Sequence, residues 1–239
     1  MISLEDVVDR PPIVHGGLAT WGISLRLARF LDAQLTPQST TLETGAGLST
    51  ILFLRRGVAR HISITPYEPE FKAIRTYCAE VGIDTGPLQA VCAGSQHYLP
   101  SAVLPALDLV LIDGSHAFPA PFVDWFYTAE ALKVGGLVVV DDLPLVTGTI
   151  LADFLRADER WDEVLRDDRF AVYRKRVHPI ADERDWMAQA YLVRSYPVAA
   201  VRVIKAGPLR RVLGLARAAW NEPELVRRKL RALRGRPRH

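Results

Sequence analysis

Between residues 39 and 176, apolar residues recur in two alternating patterns: short runs typical of buried strands and stretches with helical spacing. The short runs predict five strands: Thr40–Glu43, His61–Thr65, Leu88–Cys92, Leu107–Asp113 and Leu137–Asp141. The stretches between them predict helices: Leu48–Arg55, Glu68–Val81, Pro121–Leu132 and one near Thr149–Ala157. Strands that alternate with helices indicate a parallel sheet with crossover helices.

The segment from Trp161 to Arg176 breaks this alternation, because apolar residues lie on both sides of Asp167-Asp168. That pattern predicts two antiparallel strands joined by a tight turn. We therefore expect a Rossmann-like α/β fold with a seven-stranded, mostly parallel sheet and a terminal antiparallel hairpin. This core would occupy residues 39–176, after an N-terminal helical cap or lid (1–38) and before a basic helical extension (177–239).

The charge distribution is uneven, with a strong excess of basic residues near the carboxyl end of the chain. Residues 202–239 hold 12 of the 30 basic and two of the 27 acidic residues, so this tail carries +10 and the remainder −7. The tail is predicted to contain two helices, Leu209–Trp220 and Pro223–Leu233. Because the excess of basic over acidic residues lies in this tail, the α/β core shows no sign of nucleic-acid binding. Contact of the tail with a membrane surface or another protein, and homo-oligomer formation, stay open.

The two cysteines, Cys78 and Cys92, lie in apolar segments and form neither a disulfide framework nor a metal-binding pattern. The first residues include acidic side chains and lack the apolar core of a signal peptide. No apolar run reaches the length that crosses a bilayer. We therefore expect a cytoplasmic protein.

The first predicted strand runs directly into ETGAGLST, residues 43–50. Glycine at positions 45 and 47 lets the backbone turn sharply and approach a ligand closely. The helix that begins at Leu48 directs its free N–H groups toward the same space. Dinucleotide-binding loops have a third glycine where Thr50 stands, so this loop departs from their pattern.

Four motifs resemble class I S-adenosylmethionine-dependent methyltransferases, in that family's order: ETGAGLST, LDLVLIDGSH, GGLVVVDD and the terminal hairpin. The resemblance covers about residues 15–176 and implies S-adenosyl-L-methionine as the cofactor rather than a dinucleotide. It implies cofactor contacts on both sides of the predicted cleft, namely Glu43, Gly45, Gly47, Ser49, Gly94, Ser95 and Asp113.

The end of the second strand departs from the family, which places there an acidic residue that binds the ribose hydroxyls. Thr65 stands in that position, and Glu68 follows three residues later. Thr65 and Glu68 are both candidate ribose ligands. Glu68 is equally well explained as an acid in the first turn of a helix.

Two apolar strands end in carboxylates: Asp113 follows the fourth strand, and Asp141 and Asp142 follow the fifth. Ligands of open α/β sheets bind beyond the carboxyl ends of the strands, where these three side chains converge. Clustered carboxylates favour a hard divalent cation such as Mg²⁺. Catechol O-methyltransferase-like and macrocin-type enzymes resemble this arrangement. The alternative is that Asp141 accepts backbone N–H groups and Asp142 caps a turn.

His116 lies three residues beyond Asp113 and is a candidate general base that would deprotonate a hydroxyl during methyl transfer, with Asp113 beside it in the catalytic site. The sequence thus predicts a metal-assisted O-methyltransferase that acts on a small hydroxylated acceptor, such as a sugar or glycosylated metabolite. Two alternatives remain: a metal-independent O- or N-methyltransferase, and a membrane-surface or partner-binding protein with a relic methyltransferase fold. Asp124 is expected to be an acid near the start of the next helix.

Overall fold

The computed structural model describes residues 3–9 and 22–178, together with Tyr191. Within these residues the strands are β1 (Thr40–Thr44), β2 (Arg60–Thr65), β3 (Leu88–Cys92), β4 (Leu107–Ile112), β5 (Leu132–Val140), β6 (Trp161–Arg166) and β7 (Ala171–Lys175). They form one sheet in the order β3-β2-β1-β4-β5-β7-β6. Strands β1 to β5 are parallel, and β7 pairs antiparallel with both β5 and β6. The predicted fold class is confirmed.

The helices are α1 (Leu4–Asp9), α2 (Leu25–Gln34), α3 (Leu48–Arg56), α4 (Glu68–Val81), α5 (Ser95–Tyr98), α6 (Ala120–Ala131) and α7 (Val146–Ala157), with a 3-10 turn at Leu99–Ser101. Alternate strand residues face opposite sides of the sheet. In β4, Leu109 and Leu111 join a core with α1 to α4, whereas Val110 and Ile112 join a second core with α6 and α7. Burial on both faces explains why β4 and β5 read as continuous apolar runs.

Most predicted boundaries agree with the structure within a few residues, and β3 and α4 match at both ends. Helix α4 ends where Gly82 adopts φ +72° and donates its N–H to the Cys78 carbonyl, as the predicted stop requires. Strand β5 is the main difference, because it begins at Leu132 rather than Leu137. An irregularity in the β4–β5 pairing separates Leu132 from Leu137 and places Gly135 at φ +86°.

Helices α1 and α5 were not predicted, since each is too short to show a helical repeat. The predicted tail helices, Leu209–Trp220 and Pro223–Leu233, lie outside the described residues. The three-part division at residues 38 and 176 stays a prediction. Among the described helices, none combines the length and apolarity that a membrane crossing requires.

The sheet register brings the proposed site together at one edge. Thr44 in β1 is level with Ile112 in β4, and Ile112 is level with Val140 in β5. The residues that follow these strands therefore leave the sheet side by side. Their backbones remain connected, because Asp113 N–H donates to the Thr44 carbonyl at 3.2 Å and Asp141 N–H donates to the Ile112 carbonyl at 3.1 Å.

Candidate active site

The loop after β1 packs directly on the loop after β4. Gly45 has φ +96°, and a Cβ atom there would lie 2.3 Å from the Asp113 carbonyl oxygen. On the other side, a Cβ at Gly114 would lie 3.1 Å from the Thr44 Cβ. Glycine at position 45 is thus required both by its backbone conformation and by this close approach. The two loops form one surface at the carboxyl edge of the sheet.

The glycine loop ends in the first turn of α3, where Gly47 is the N-cap and Thr50 Oγ1 accepts its N–H at 3.0 Å. Glu43 is almost fully buried beneath this turn and accepts hydrogen bonds from Ser49 and Thr50. The Glu43 and Ser49 side chains, both predicted to contact the cofactor, therefore bind each other.

At the end of β2, the candidate ribose ligand Thr65 forms hydrogen bonds with residues of the loop and helix that follow. The Thr65 hydroxyl donates to Glu70 Oε2 at 2.8 Å and accepts the Tyr67 N–H at 3.3 Å. Glu68 is exposed in the first turn of α4 and stays a candidate ribose ligand. The structure thus places the carboxylate of Glu70, which the sequence pattern did not single out, within hydrogen-bond distance of Thr65.

After β3, Gly94 is the N-cap of the short helix α5 and Ser95 is its first, buried residue. Asp124 lies near Ser95 and is completely buried in α6, contrary to the expectation of an acid that merely complements a helix end. Burial raises the Asp124 pKa, and hydroxyl groups of Ser95 and Thr44 offset part of this effect. Its carboxyl oxygens make no well-aligned hydrogen bond within the described part of the chain.

Three side chains at the carboxyl edge form a group whose geometry could hold a cation. Asp113, His116 and Asp142 each offer one ligand atom, and these atoms lie within 4.8 Å of one another. His116 Nε2 is 3.1 Å from Asp142 Oδ2. Two members of the predicted carboxylate trio are thus brought together, and the predicted base joins them. Asp141 does not belong to this group.

Electrostatics distinguish the three aspartates. The Asp113 pKa is raised well above its ordinary value by burial and by the nearby carboxylates Asp141, Asp142 and Glu43. Burial raises the Asp141 pKa to about 6. The hydrogen bond from His116 instead lowers the Asp142 pKa. The loops after β4 and β5 therefore bring together carboxylates that repel one another. A bound cation would reduce this repulsion.

The backbone around Asp142 has an unusual conformation, with φ +54° at a residue that is not glycine. Such values are costly and are often found at functional sites. The start of α7 packs tightly below this loop, since a Cβ at Gly148 would lie 2.9 Å from the Asp142 carbonyl oxygen. Close packing of the backbone thus fixes the direction in which Asp142 leaves the sheet.

Arg169, in the turn between β6 and β7, supplies a positive charge that was not predicted to lie at this site. Its guanidinium is 3.9 Å from Asp142 Oδ1 and donates to the Gly22 carbonyl at 3.4 Å. Its own carbonyl accepts the Leu143 N–H at 2.7 Å. The hairpin turn therefore holds the loop after β5 through both main-chain and side-chain contacts.

Exposed apolar side chains follow the polar group along both loops. Phe118, two residues beyond His116, is 75% exposed, and Val146, four residues beyond Asp142, is 73% exposed. Leu145 is 44% exposed. These side chains give the edge near the polar group an apolar rim, which is a common feature of small-molecule sites.

A family model described as a methyltransferase domain matches residues 42–143, which include the glycine loop and all three aspartates. Among curated proteins, none matches this sequence.

Solved structures with the same fold include an O-methyltransferase of tomaymycin synthesis from Streptomyces achromogenes in complex with S-adenosylmethionine. It has 16% identity and a TM-score of 0.59, over 74% of this chain and 92% of that one. An O-methyltransferase from Bacillus cereus in complex with S-adenosylhomocysteine has 18% identity and a TM-score of 0.56, over 72% and 90%. An S-adenosylhomocysteine-bound methyltransferase from Podospora anserina has 14% identity and a TM-score of 0.55, over 73% and 88%.

Proposed function

We propose that the chain is a class I S-adenosylmethionine-dependent methyltransferase, as its resemblance to that family and the match of residues 42–143 to a methyltransferase domain suggest, and that it methylates a hydroxyl group of a small molecule. The observation that carries the proposal is the pairing of His116 with Asp142 beside the glycine loop. An imidazole paired with a carboxylate at the edge of the cofactor cleft is suited to accept a proton from a hydroxyl. The O-methyltransferases that share the fold support this choice of acceptor atom.

Methyl transfer from a sulfonium is an in-line displacement, so the enzyme mainly aligns the acceptor oxygen and removes its proton. Asp142 accepts the Nε2–H of His116, which leaves Nδ1 as the nitrogen that receives the proton of the acceptor. The positive charge that develops on the imidazole is stabilised by the Asp142 carboxylate. Asp142 thus orients His116, and the hairpin turn at Arg169 holds Asp142 in place.

We further propose that a divalent cation such as Mg²⁺ assists the reaction. The residues fit, because Asp113 and Asp142 supply two carboxylate ligands and the excess negative charge around Asp113 favours a cation. When bound, the ion would lower the pKa of the acceptor hydroxyl. His116 would be either a third ligand or the base beside the ion.

A metal-independent transferase is the second candidate, and the position of Arg169 favours it. The guanidinium already lies beside Asp142 and offers positive charge to the carboxylates without an ion. In this alternative His116 acts as the sole base. Activity that survives exhaustive treatment with a chelator would support it.

The acceptor we propose has an apolar body beside its hydroxyl group, because Phe118, Leu145 and Val146 are exposed on the segments that follow His116 and Asp142. Glycosylated metabolites and phenols both meet this description.

The decisive experiment has two steps. S-adenosylhomocysteine is titrated into the protein by calorimetry, with and without Mg²⁺. A panel of phenols and glycosides is then tested for methylation with labelled S-adenosylmethionine. Saturable cofactor binding together with label in an ether product is the expected result. Absent cofactor binding would contradict the proposal, and label only on nitrogen would redirect it to N-methylation.

A further inference from the structure

One buried imidazole lies directly below the cofactor loop and takes no part in the proposed chemistry. His61 in β2 is completely buried, and its ring stacks on Phe53 of α3 with centroids 4.4 Å apart. Its Nε2 atom is 3.0 Å from Glu43 Oε1. Polar groups buried this deeply are costly unless they are hydrogen-bonded, so the pair needs a structural or functional reason.

Glu43 extends this contact to the cofactor loop. Its Oε2 accepts the Ser49 hydroxyl at 2.6 Å, and its Oε1 accepts the Thr50 hydroxyl. Thr50 Oγ1 in turn accepts the Gly47 N–H at 3.0 Å. The carboxylate therefore joins one partner in β2 to two partners in the first turn of α3. Through Thr50 it reaches the backbone of the glycine loop itself.

The geometry assigns the donor to Glu43. The carboxylate already accepts the Ser49 and Thr50 hydroxyls, so His61 Nε2 is placed as a third donor to it. On the other side of the ring, His61 Nδ1 is 2.8 Å from Thr41 Oγ1, within hydrogen-bond distance. An uninterrupted chain of hydrogen bonds thus runs from Thr41 in β1 through His61, Glu43 and Thr50 to the Gly47 amide.

We infer that His61 is a positioning residue for the cofactor, which rests on the S-adenosylmethionine use proposed above. It holds Glu43 from below, and Glu43 holds the two hydroxyls that fix the first turn of α3. Without the His61 donor, the carboxylate is held only by the Ser49 and Thr50 hydroxyls, and the acceptor of the Thr50 hydroxyl is less firmly fixed. The glycine-loop backbone then shifts relative to the cofactor, and small misplacements in such sites weaken binding strongly.

Two substitutions of His61 separate the hydrogen bond from the packing. His61→Phe keeps a ring against Phe53 but removes the donor to Glu43. His61→Gln loses the ring but keeps an N–H₂ group that can reach Glu43. We expect His61→Phe to weaken S-adenosylhomocysteine binding by about tenfold or more, the effect of losing one hydrogen bond to a charged group. We expect His61→Gln to restore most of the affinity. Both are measured by calorimetry.

A destabilised control excludes a general effect on the fold. Leu155 is completely buried in the core on the opposite face of the sheet, so Leu155→Ala lowers the melting temperature without touching this network. Its cofactor affinity should equal that of the wild type. Equal affinity losses in Leu155→Ala and His61→Phe at similar melting temperatures would overturn the inference. So would wild-type affinity in a folded His61→Phe variant.

Substitutions of Thr50 provide a second pair of variants in case His61→Phe does not fold. Thr50→Val removes the hydroxyl between Glu43 and Gly47 at nearly constant shape, whereas Thr50→Ser retains it. We expect only the valine variant to lose affinity, and equal affinities would contradict the proposed chain. A wild-type protein that binds no S-adenosylhomocysteine would instead contradict the proposed function itself.

Discussion

The imidazole of His116 lies 3.1 Å from the carboxylate of Asp142 and thereby joins the loop after β4 to the loop after β5. The two residues are 26 positions apart in the sequence, yet the register of β4 and β5 makes them neighbours. The contact lowers the Asp142 pKa, so Asp142 is ionised and available to orient the imidazole at neutral pH. This pair defines the reactive end of the proposed site.

Replacing either member of the pair should reduce methyl transfer. We expect His116→Ala to lower kcat by about a hundredfold or more, the usual contribution of a general base. Asp142→Asn should lower kcat less, and the double variant should be no worse than His116→Ala, because Asp142 acts through the imidazole. Steady-state kinetics with a common acceptor provide the measurement. Additive losses would mean that the two residues act separately. Asp162→Asn, in an exposed ion pair with Arg176, is the matched control.

Gly45 allows a test of the close contact between the first two loops. Gly45→Ala should abolish cofactor binding and destabilise the fold, because its Cβ would lie 2.3 Å from the Asp113 carbonyl oxygen. Gly57→Ala is the control, since Gly57 also has positive φ (+71°) but has no atom within 4 Å of its Cβ position. The control should cost about 1–2 kcal/mol of unfolding free energy and leave cofactor affinity unchanged. Chemical denaturation measures the unfolding free energy of the two variants, and calorimetry measures their cofactor affinity. Equal losses in both variants would show that backbone strain, rather than the close contact with Asp113, causes the effect.

The sheet and the glycine loop could be predicted from the sequence because each depends on residues that are close together in the chain. Continuous apolar runs mark β4 and β5, since burial on both faces removes polar alternation. The αL stop at Gly82 is likewise a local signal. The order of the strands in the sheet is known only from the structure, because periodicity does not determine it.

The parts that could not be predicted depend on contacts between distant segments. Arg169 reaches Asp142 only because β7 inserts next to β5, and nothing near Arg169 in the sequence indicates a ligand site. His61 looks like an ordinary residue at the start of a strand until the β1–β2 register places it beside Glu43. The hydrogen bond from Thr65 to Glu70 is a further contact that the sequence pattern does not indicate.

Asp141 should make stability depend on pH in a defined direction. In the unfolded chain its carboxyl ionises near 3.8, whereas burial raises the folded-state pKa to about 6. The folded state therefore binds more protons between these values, and this contribution to unfolding free energy falls as pH rises through the interval. Asp141→Asn removes the contribution, so its stability relative to wild type should increase between about pH 4 and pH 7.

Urea denaturation of both proteins across this pH range is the measurement. Asp142→Asn is the opposite control, because the lowered Asp142 pKa stabilises the fold at neutral pH and the stabilisation is lost on acidification. A constant difference between Asp141→Asn and wild type at all pH values would contradict the assignment.

Arg169 and a divalent cation should compete for the same carboxylate. The guanidinium is 3.9 Å from Asp142 Oδ1, so its charge opposes cation binding at Asp113 and Asp142. Arg169→Gln should strengthen Mg²⁺ binding by about tenfold, as expected for loss of a unit charge several ångströms away at intermediate dielectric. Arg169→Lys retains the charge and should bind Mg²⁺ much like the wild type. Calorimetric titration of Mg²⁺ in the presence of S-adenosylhomocysteine measures both affinities.

The same variants separate the metal-assisted from the metal-independent mechanism. If Mg²⁺ assists, chelator abolishes wild-type activity, and Arg169→Gln reaches half-maximal activity at a lower Mg²⁺ concentration. If Arg169 itself supplies the positive charge, chelator has no effect, Mg²⁺ does not bind, and Arg169→Gln loses activity that Arg169→Lys partly recovers. The arginine thus has opposite effects in the two mechanisms: it inhibits metal loading in one and supports the His116–Asp142 pair in the other.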